Sequence, residues 1–596
     1  MTSSSYKTFF ASCPSGCVNI AMLTIATSNM QQITSIDEHN KRVTTAMAKV
    51  SVWFAATLYL CLLGCSEAFC STGTCRREKS SLYSAVDSPY SVVIVGGGWA
   101  GFSAADAIAA SKEDVQIHLL DASPRGPGGL AGGWRTPNLN RTVEAGLHGF
   151  WREYRNTFDT IEKRIGLDID SVLTPFTPST LVSSNGRVAV APVLGDDENT
   201  RGTKSPSMTS VVASMGDPNR LAEEIAPLLP PPLDVALLTE FDEQSRLSIQ
   251  DRITGIGLLG AWADFGQEDR ESWLRYDDVT AENLFRSVAA VSPQLYDEVV
   301  LPLLHVLPMC PGYDCSAAAA LSCFHVFALQ TKGAFDVRWC RGTITEKIFN
   351  PWAENLQRDG GVDIQGASRV TGIDSNIEGG KPYRVSINNG ENEIDCDAVI
   401  LAVGATTAGR IVESCPPLQS VSGLSNQWKQ LRGITCVAVR LFVDKANGMK
   451  FTSSMIESPV VVCGPGVGNI PTLVETGFCV YDLSRLQDEF SAHGDKDDMA
   501  FEVDFFRADY LADMEDDEIL QVALDAMSTA LGLEPYLSSN DLADSSVFRA
   551  RKAVSHFCVG SAKLSPPVRL KKGLYVCGDW VDRVGHASWS TVSSLC

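Results

Sequence analysis

The stretch VVIVGGGWAGFSAADAIAASKEDVQIHLLD, Val92 to Asp121, decides the fold. Val92-Val93-Ile94-Val95 is a short, continuous, β-branched run, the pattern of a strand buried on both faces. Gly96-x-Gly98-x-x-Gly101 follows without a gap. Phe102 to Ser111 is alanine-rich and reads as a helix, and Val115 to Leu120 reads as a second strand ending at Asp121. Each glycine has its own task in a dinucleotide-binding βαβ unit. Gly96 allows the tight turn, Gly98 lets backbone approach a pyrophosphate, and Gly101 lets the helix lie close on the strand. The helix N-terminus then offers amides to phosphate. Asp121 stands twenty residues after Gly101, where a carboxylate meets ribose hydroxyls.

Context gives this motif its meaning. Gly255-x-Gly257-x-x-Gly260 has the same spacing but no strand before it, and Gly464-x-Gly466-x-Gly468 has no helix after it. Both read as turn or packing glycines.

With 596 residues, 44% of them hydrophobic, the chain is long enough for two folding units plus extensions. Its net charge of −22 would repel phosphate backbones, which excludes a nucleic-acid binder on electrostatic grounds. Eighteen cysteines include no CxxC pair; the closest spacings are Cys13/Cys17, Cys61/Cys65 and Cys310/Cys315. Cys65/Cys70 and Cys70/Cys75 are also five apart; no zinc or redox framework follows, no metal is expected, and the thiols read as reduced and mostly buried.

Residues 1–46 are Ser/Thr-rich and lack apolar periodicity, and they read as an upstream extension. From Met47, a lysine at 49 precedes an uncharged run, Val50 to Ser66, and the small-x-small site Ser66-Glu67-Ala68. This resembles a secretory signal peptide; a signal anchor in the endomembrane is the alternative. Phe69 and a basic, hydroxylated segment follow directly. The whole resembles the bipartite presequence of algae with secondary plastids, which implies a plastid enzyme.

Three features resemble the flavin amine oxidase superfamily, most closely its carotene and phytoene desaturase branch. The pair Gly128-Gly129 follows the ribose carboxylate as the family's second glycine motif does, although Leu130 stands where relatives carry Arg or Lys. Glu144-Ala145-Gly146-Leu147-His148-Gly149-Phe150-Trp151 is similar to the ExGLHxFF segment that runs beside the isoalloxazine, which makes His148 a near-flavin candidate or a structural histidine. Near the end, Leu574 to Cys577 leads into Gly578-Asp579, similar to the family's returning segment that holds the FAD pyrophosphate and ribityl region. A nicotinamide enzyme has no reason to return to its nucleotide domain there. After SWST the sequence departs from the family's closing helix, which suggests an incomplete gene-model end.

The resemblance covers about residues 90–591. It implies an α/β fold: a Rossmann-type FAD-binding domain with an interleaved α+β substrate domain. The expected divisions are presequence 1–88 (1–46, 47–68 and 69–88), FAD-binding 89–190, 351–410 and 551–596, and substrate-binding 191–350 and 411–550. It further implies Val370 beside adenine, and Arg338 and Arg341 near flavin or substrate unless they are structural. The implied cofactor is FAD and the implied activity hydride transfer from a lipophilic polyene, with quinone or oxygen as acceptor and peripheral membrane contact. An amine or protoporphyrinogen-type oxidase, with Trp580 and Trp589 beside the flavin, is the alternative, as is a scaffold that no longer turns over. No catalytic base is identifiable.

Overall fold

In this computed structural model, residues 89–193, 240–241, 247–375, 380–421, 427–444, 458–491 and 498–582 are described, apart from 112, 187, 192, 330, 332, 429 and 534–535. The presequence readings, the polar stretch 195–219 and everything after Asp582, Trp589 included, lie outside the described residues.

The opening stretch folds as its pattern dictates. Tyr90–Val95 and Val115–Leu120 are parallel strands in register from Tyr90/Val115 to Val95/Leu120, joined by the helix Trp99–Ala110. The strand Ala398–Leu401 pairs with the first on its other side, and Leu574–Val576 pairs in turn with Ala398–Leu401. Asp363–Gln365 extends the far edge and Arg569–Lys571 closes the near one, making six strands. The central strands carry near-continuous apolar runs because both faces are covered. Val92 and Ile94 pack with Phe102, Phe349 and Trp352, while Val93 and Val95 pack with Val385, Leu401 and Ile411. Strands from three distant parts of the chain build one sheet, the long-range return that the C-terminal pattern implies.

The second sheet has eight strands: Leu542–Ser555, Gly433–Asp444, Asp498–Phe505, Phe478–Asp482, Val460–Cys463, Ser179–Val182, Val188–Ala191 and Glu240–Phe241, in spatial order. One face packs on the helix Asp516–Leu531 through Val439, Val503, Ile519 and Met527. The other face turns toward the nucleotide-type domain. Ser179–Val182 and Val188–Ala191 belong to this sheet, so a boundary at 190/191 is too late. Leu542–Ser555 likewise carries the large sheet past 550.

Between the sheets in sequence, residues 249–329 form short helices around Trp273, Phe285, Leu304 and the run Ala317–Leu321. The apolar run Ala317–Leu329 is helical throughout. Gly257 belongs to this packing: a Cβ there would meet the Ala289 carbonyl oxygen at 2.0 Å. Gly466 and Gly468 turn the chain at φ of 79° and 75°. All eleven described cysteines are free and nine are buried. No described helix is long and apolar enough to cross a membrane.

Candidate functional site

A cavity of about 530 Å³ runs from the end of the six-stranded sheet to the inner face of the eight-stranded one. It collects segments far apart in sequence: Gly96–Ala100, Asp121, Gly128–Ala131, Ala145–His148, Ala402–Gly404, Cys436–Ala438, Asp504 and Cys577–Asp579.

Its nucleotide-side end is built from main chain. Gly96 turns at φ +117°, and a Cβ on it would strike the Ala402 carbonyl at 2.4 Å. A Cβ on Gly101 would lie 1.9 Å from the Gly96 carbonyl, so this glycine sets the helix-to-strand distance from outside the cavity. Gly98 differs: a Cβ there would meet nothing closer than 3.7 Å and would project into the cavity. No side chain caps the helix that Gly98 begins, and Trp99 and Ala100 line the cavity. The unsatisfied first-turn amides and the positive end of the helix are therefore available to an anion.

Asp121 ends the second strand. Its Oδ1 accepts from the Ser123 amide at 3.0 Å; its Oδ2 is buried without a partner. Burial pushes this carboxyl above the usual range, partly offset by the Ser123 amide. The carboxylate rests against Gly97, where a Cβ would approach Oδ2 to 2.3 Å. Gly128, at φ +131°, donates its amide to the Gly97 carbonyl at 2.7 Å, and a Cβ on Gly129 would lie 3.1 Å from Gly98 Cα. The two glycine motifs thus stack backbone on backbone.

The C-terminal segment is tied in from the opposite side. The Cys577 amide donates to Leu401, and Trp580 Nε1 donates to the Val403 carbonyl at 2.8 Å. That places Gly578, at φ +126°, and Asp579 on the cavity wall. Trp580 itself is buried against Trp428, ring centroids 4.7 Å apart, and is no part of an aromatic cage.

His148 lines the cavity with its Nδ1 buried and unpartnered. Burial pushes its imidazole down to about 4, so the ring is neutral at physiological pH. The rest of this end is apolar: Leu307, Pro308, Met309, Cys436, Phe506 and Phe557.

Three expected residues lie elsewhere. Val370 pairs with Ile387 in a separate three-stranded sheet, its side chain in the core with Val385 and Leu401, and it does not line the cavity. Arg338 donates through Nε to the Thr174 carbonyl, pairs with Asp170 and lies over Phe176. Arg341 donates to the carbonyls of Asp170 at 2.9 Å and Leu173 at 3.1 Å. Both arginines pin the segment 170–174 and are structural. Sequence reading also missed a buried charge cluster behind His148: Glu144, Arg440, Glu502 and Asp504. Its signal was present as charged residues on the alternate positions of two otherwise apolar strands, Arg440 in TCVAVRLFVD and Glu502 and Asp504 in DMAFEVDF.

Comparison with known proteins gives a consistent picture. The family model for flavin-containing amine oxidoreductases matches residues 99–588. Among solved structures, a protein described as a protoporphyrinogen oxidase from Exiguobacterium is 19% identical, with 85% of this chain and 97% of that one covered and a TM-score of 0.53. Cyclohexylamine oxidase from Brevibacterium oxydans is 14% identical, covering 85% and 97%, with a TM-score of 0.52. Reduced UDP-galactopyranose mutase is 13% identical, covering 85% and 92%, with a TM-score of 0.54. At these identities the likeness is one of fold. No curated protein sequence matches.

Proposed function

The chain belongs to the flavin-containing amine oxidoreductase family, and from that premise we propose that it is a carotene desaturase-like enzyme taking a lipophilic polyene. It is an FAD-dependent oxidoreductase.

The cavity fits FAD on two observations. Gly98 leaves open the space that a side chain would fill, and Asp121 presents an orphaned carboxylate oxygen one strand away. On this reading the amides after Gly98 take the pyrophosphate, Asp121 takes ribose hydroxyls, and Gly128-Gly129 and Gly578-Asp579 close around the flavin half. When bound, FAD accepts a hydride; the protein's part is to orient substrate and exclude water.

The apolar wall of Leu307, Pro308, Met309, Cys436, Phe506 and Phe557 carries the substrate reading. It offers a hydrocarbon chain burial without polar loss, each buried CH₂ contributing about 0.8 kcal/mol. Among the described residues no Lys or Arg lines the cavity, and its nearest imidazole is held neutral. Delivery from a membrane leaflet by peripheral contact and reoxidation by quinone or oxygen complete the proposal. Segment 47–88, with its resemblance to a bipartite presequence, supports a plastid location.

Anaerobic flavin bleaching tests the substrate. Detergent-dispersed carotenes should bleach the FAD band, while cyclohexylamine and a porphyrinogen should not. Bleaching by the amine or porphyrinogen alone would replace this reading with the oxidase one.

A further inference from the structure

The inner face of the large sheet should be apolar, since it packs against the other domain. At its centre it is not. Arg440 and Glu502 are directly opposed across two strands and form a fully buried ion pair; Asp504 follows on the same face, two residues on. Glu144, 1% exposed, approaches the same guanidinium at 3.8 Å. Glu144 accepts from the Ile344 amide at 2.8 Å and from Gln487 at 3.3 Å. Asp504 is the member that reaches the cavity, beside His148, and its Oδ2 accepts from the Leu147 amide at 3.0 Å.

Three carboxyls face one guanidinium. Burying two uncompensated negative charges would cost many kcal/mol, so the cluster holds protons. Net neutrality needs two protons among the three acids. Burial pushes Glu144 up to about 8, against the opposing pull of Arg440, so it carries one. The second belongs to Asp504 and Glu502, which stand two residues apart on one buried strand face and act on each other electrostatically. Asp504 Oδ1 and Glu502 Oε1 receive no N–H or hydroxyl donor. A metal is not the explanation: no group of described residues could hold one, and a guanidinium occupies the centre.

We propose that the Asp504–Glu502 carboxyl pair is the proton-exchange site of the cavity, with Asp504 as the catalytic residue that meets the substrate. This rests on the oxidoreductase reading of the cavity. Oxidation of a saturated carbon pair breaks two C–H bonds and forms one C=C bond. One hydrogen leaves with its electron pair to the oxidised cofactor, and the other leaves as a proton. The pair begins with one proton and one negative charge; it takes the second proton and becomes neutral. Arg440 anchors the pair from behind and is a positioning residue.

Groups facing the pair from every side enter its titration: Glu144 and His148 from the segment before it in sequence, Arg440 and Cys436 from one neighbouring strand, Cys479 and Tyr481 from the other. Cys436, Cys479 and Tyr481 are all pushed up by burial and stay neutral.

The test is infrared difference spectroscopy of the full FAD-loaded chain, reduced minus oxidised. A carboxylic C=O band should appear, shift in D₂O, and vanish in both Asp504→Asn and Glu502→Gln, because removing either carboxyl removes the pair's one negative charge. A merely structural pair would give no reduction-linked band, and that result overturns the proposal, as does a band unchanged in Asp504→Asn. If either variant fails to load FAD, the wild-type band in H₂O and D₂O still decides. With any substrate that bleaches the flavin, Asp504→Asn should lower kcat about 100-fold with KM little changed, and Asp504→Glu should recover part of it. An Asp504→Asn enzyme with wild-type kcat also overturns the proposal. The infrared arm needs no substrate, so a wrong substrate class and a wrong proton site fail separately.

Discussion

At the six-stranded sheet the cavity wall is main chain; at the eight-stranded sheet it is side chain. The first wall consists of glycines at strand ends, with carbonyls and amides within contact of one another. The second presents Cys436 and Asp504 from strands that meet only in the folded state, with Phe506 just past the end of one of them. A backbone wall recognises a constant ligand part, such as a pyrophosphate, and tolerates almost no added atom. A side-chain wall can change its chemistry while the sheet survives. Variants on the first wall should therefore abolish folding or cofactor, and variants on the second should alter protonation and turnover.

The largest effect is expected at Gly101→Ala. The new Cβ would overlap the Gly96 carbonyl, and the helix must leave its strand. Soluble yield should collapse, and any recovered protein should lose about 4 kcal/mol or more by chemical denaturation. Gly98→Val comes next and separates packing from binding. Its side chain enters open space, so the fold should persist while FAD affinity falls about 100-fold or more, read by cofactor content after gel filtration. A Gly98→Val protein that kept its full flavin would move the nucleotide elsewhere. Asp579→Ala should weaken FAD about tenfold, a loss of about 1.4 kcal/mol in a binding titration, with the fold unchanged.

The smallest effect sharpens the side-chain half. Folded Glu144 keeps its proton up to about 8, whereas an unfolded glutamate releases it near 4.5. The folded state thus binds more protons across that window, and stability falls as pH rises through it. Glu144→Gln should flatten the decline in melting temperature between about pH 5 and pH 8. On the acid side the sign reverses. His148 and His305 are both pushed down to about 4 by burial, so the unfolded chain binds more protons below 6.5 and stability falls with pH there. Glu144→Gln leaves that acid-side loss in place.

The same contrast explains what could be read beforehand. Glycine spacing after a β-branched run is a local signal, and it marks Gly96, Gly98, Gly101, Asp121 and Gly128-Gly129, which the fold gathers at one end of the six-stranded sheet. The returning strand at Leu574 was legible because its Gly-Asp turn is also local. The acid cluster was not, since Arg440 and Glu502 are 62 positions apart and become neighbours only through antiparallel register. Arg338 and Arg341 misled for a related reason. A guanidinium in a short motif looks like a ligand contact until the fold supplies Thr174, Asp170 and Leu173 as its partners. The boundary at 190 failed because Ser179–Val182 changes sheets without any composition shift.

On this reading the glycine wall holds FAD. The most direct measurement is the absorbance spectrum of the purified protein, with chromatography of the cofactor released on denaturation. Flavin bands and about one FAD per chain are the expected result. A colourless protein that also fails to take up added FAD would contradict the account.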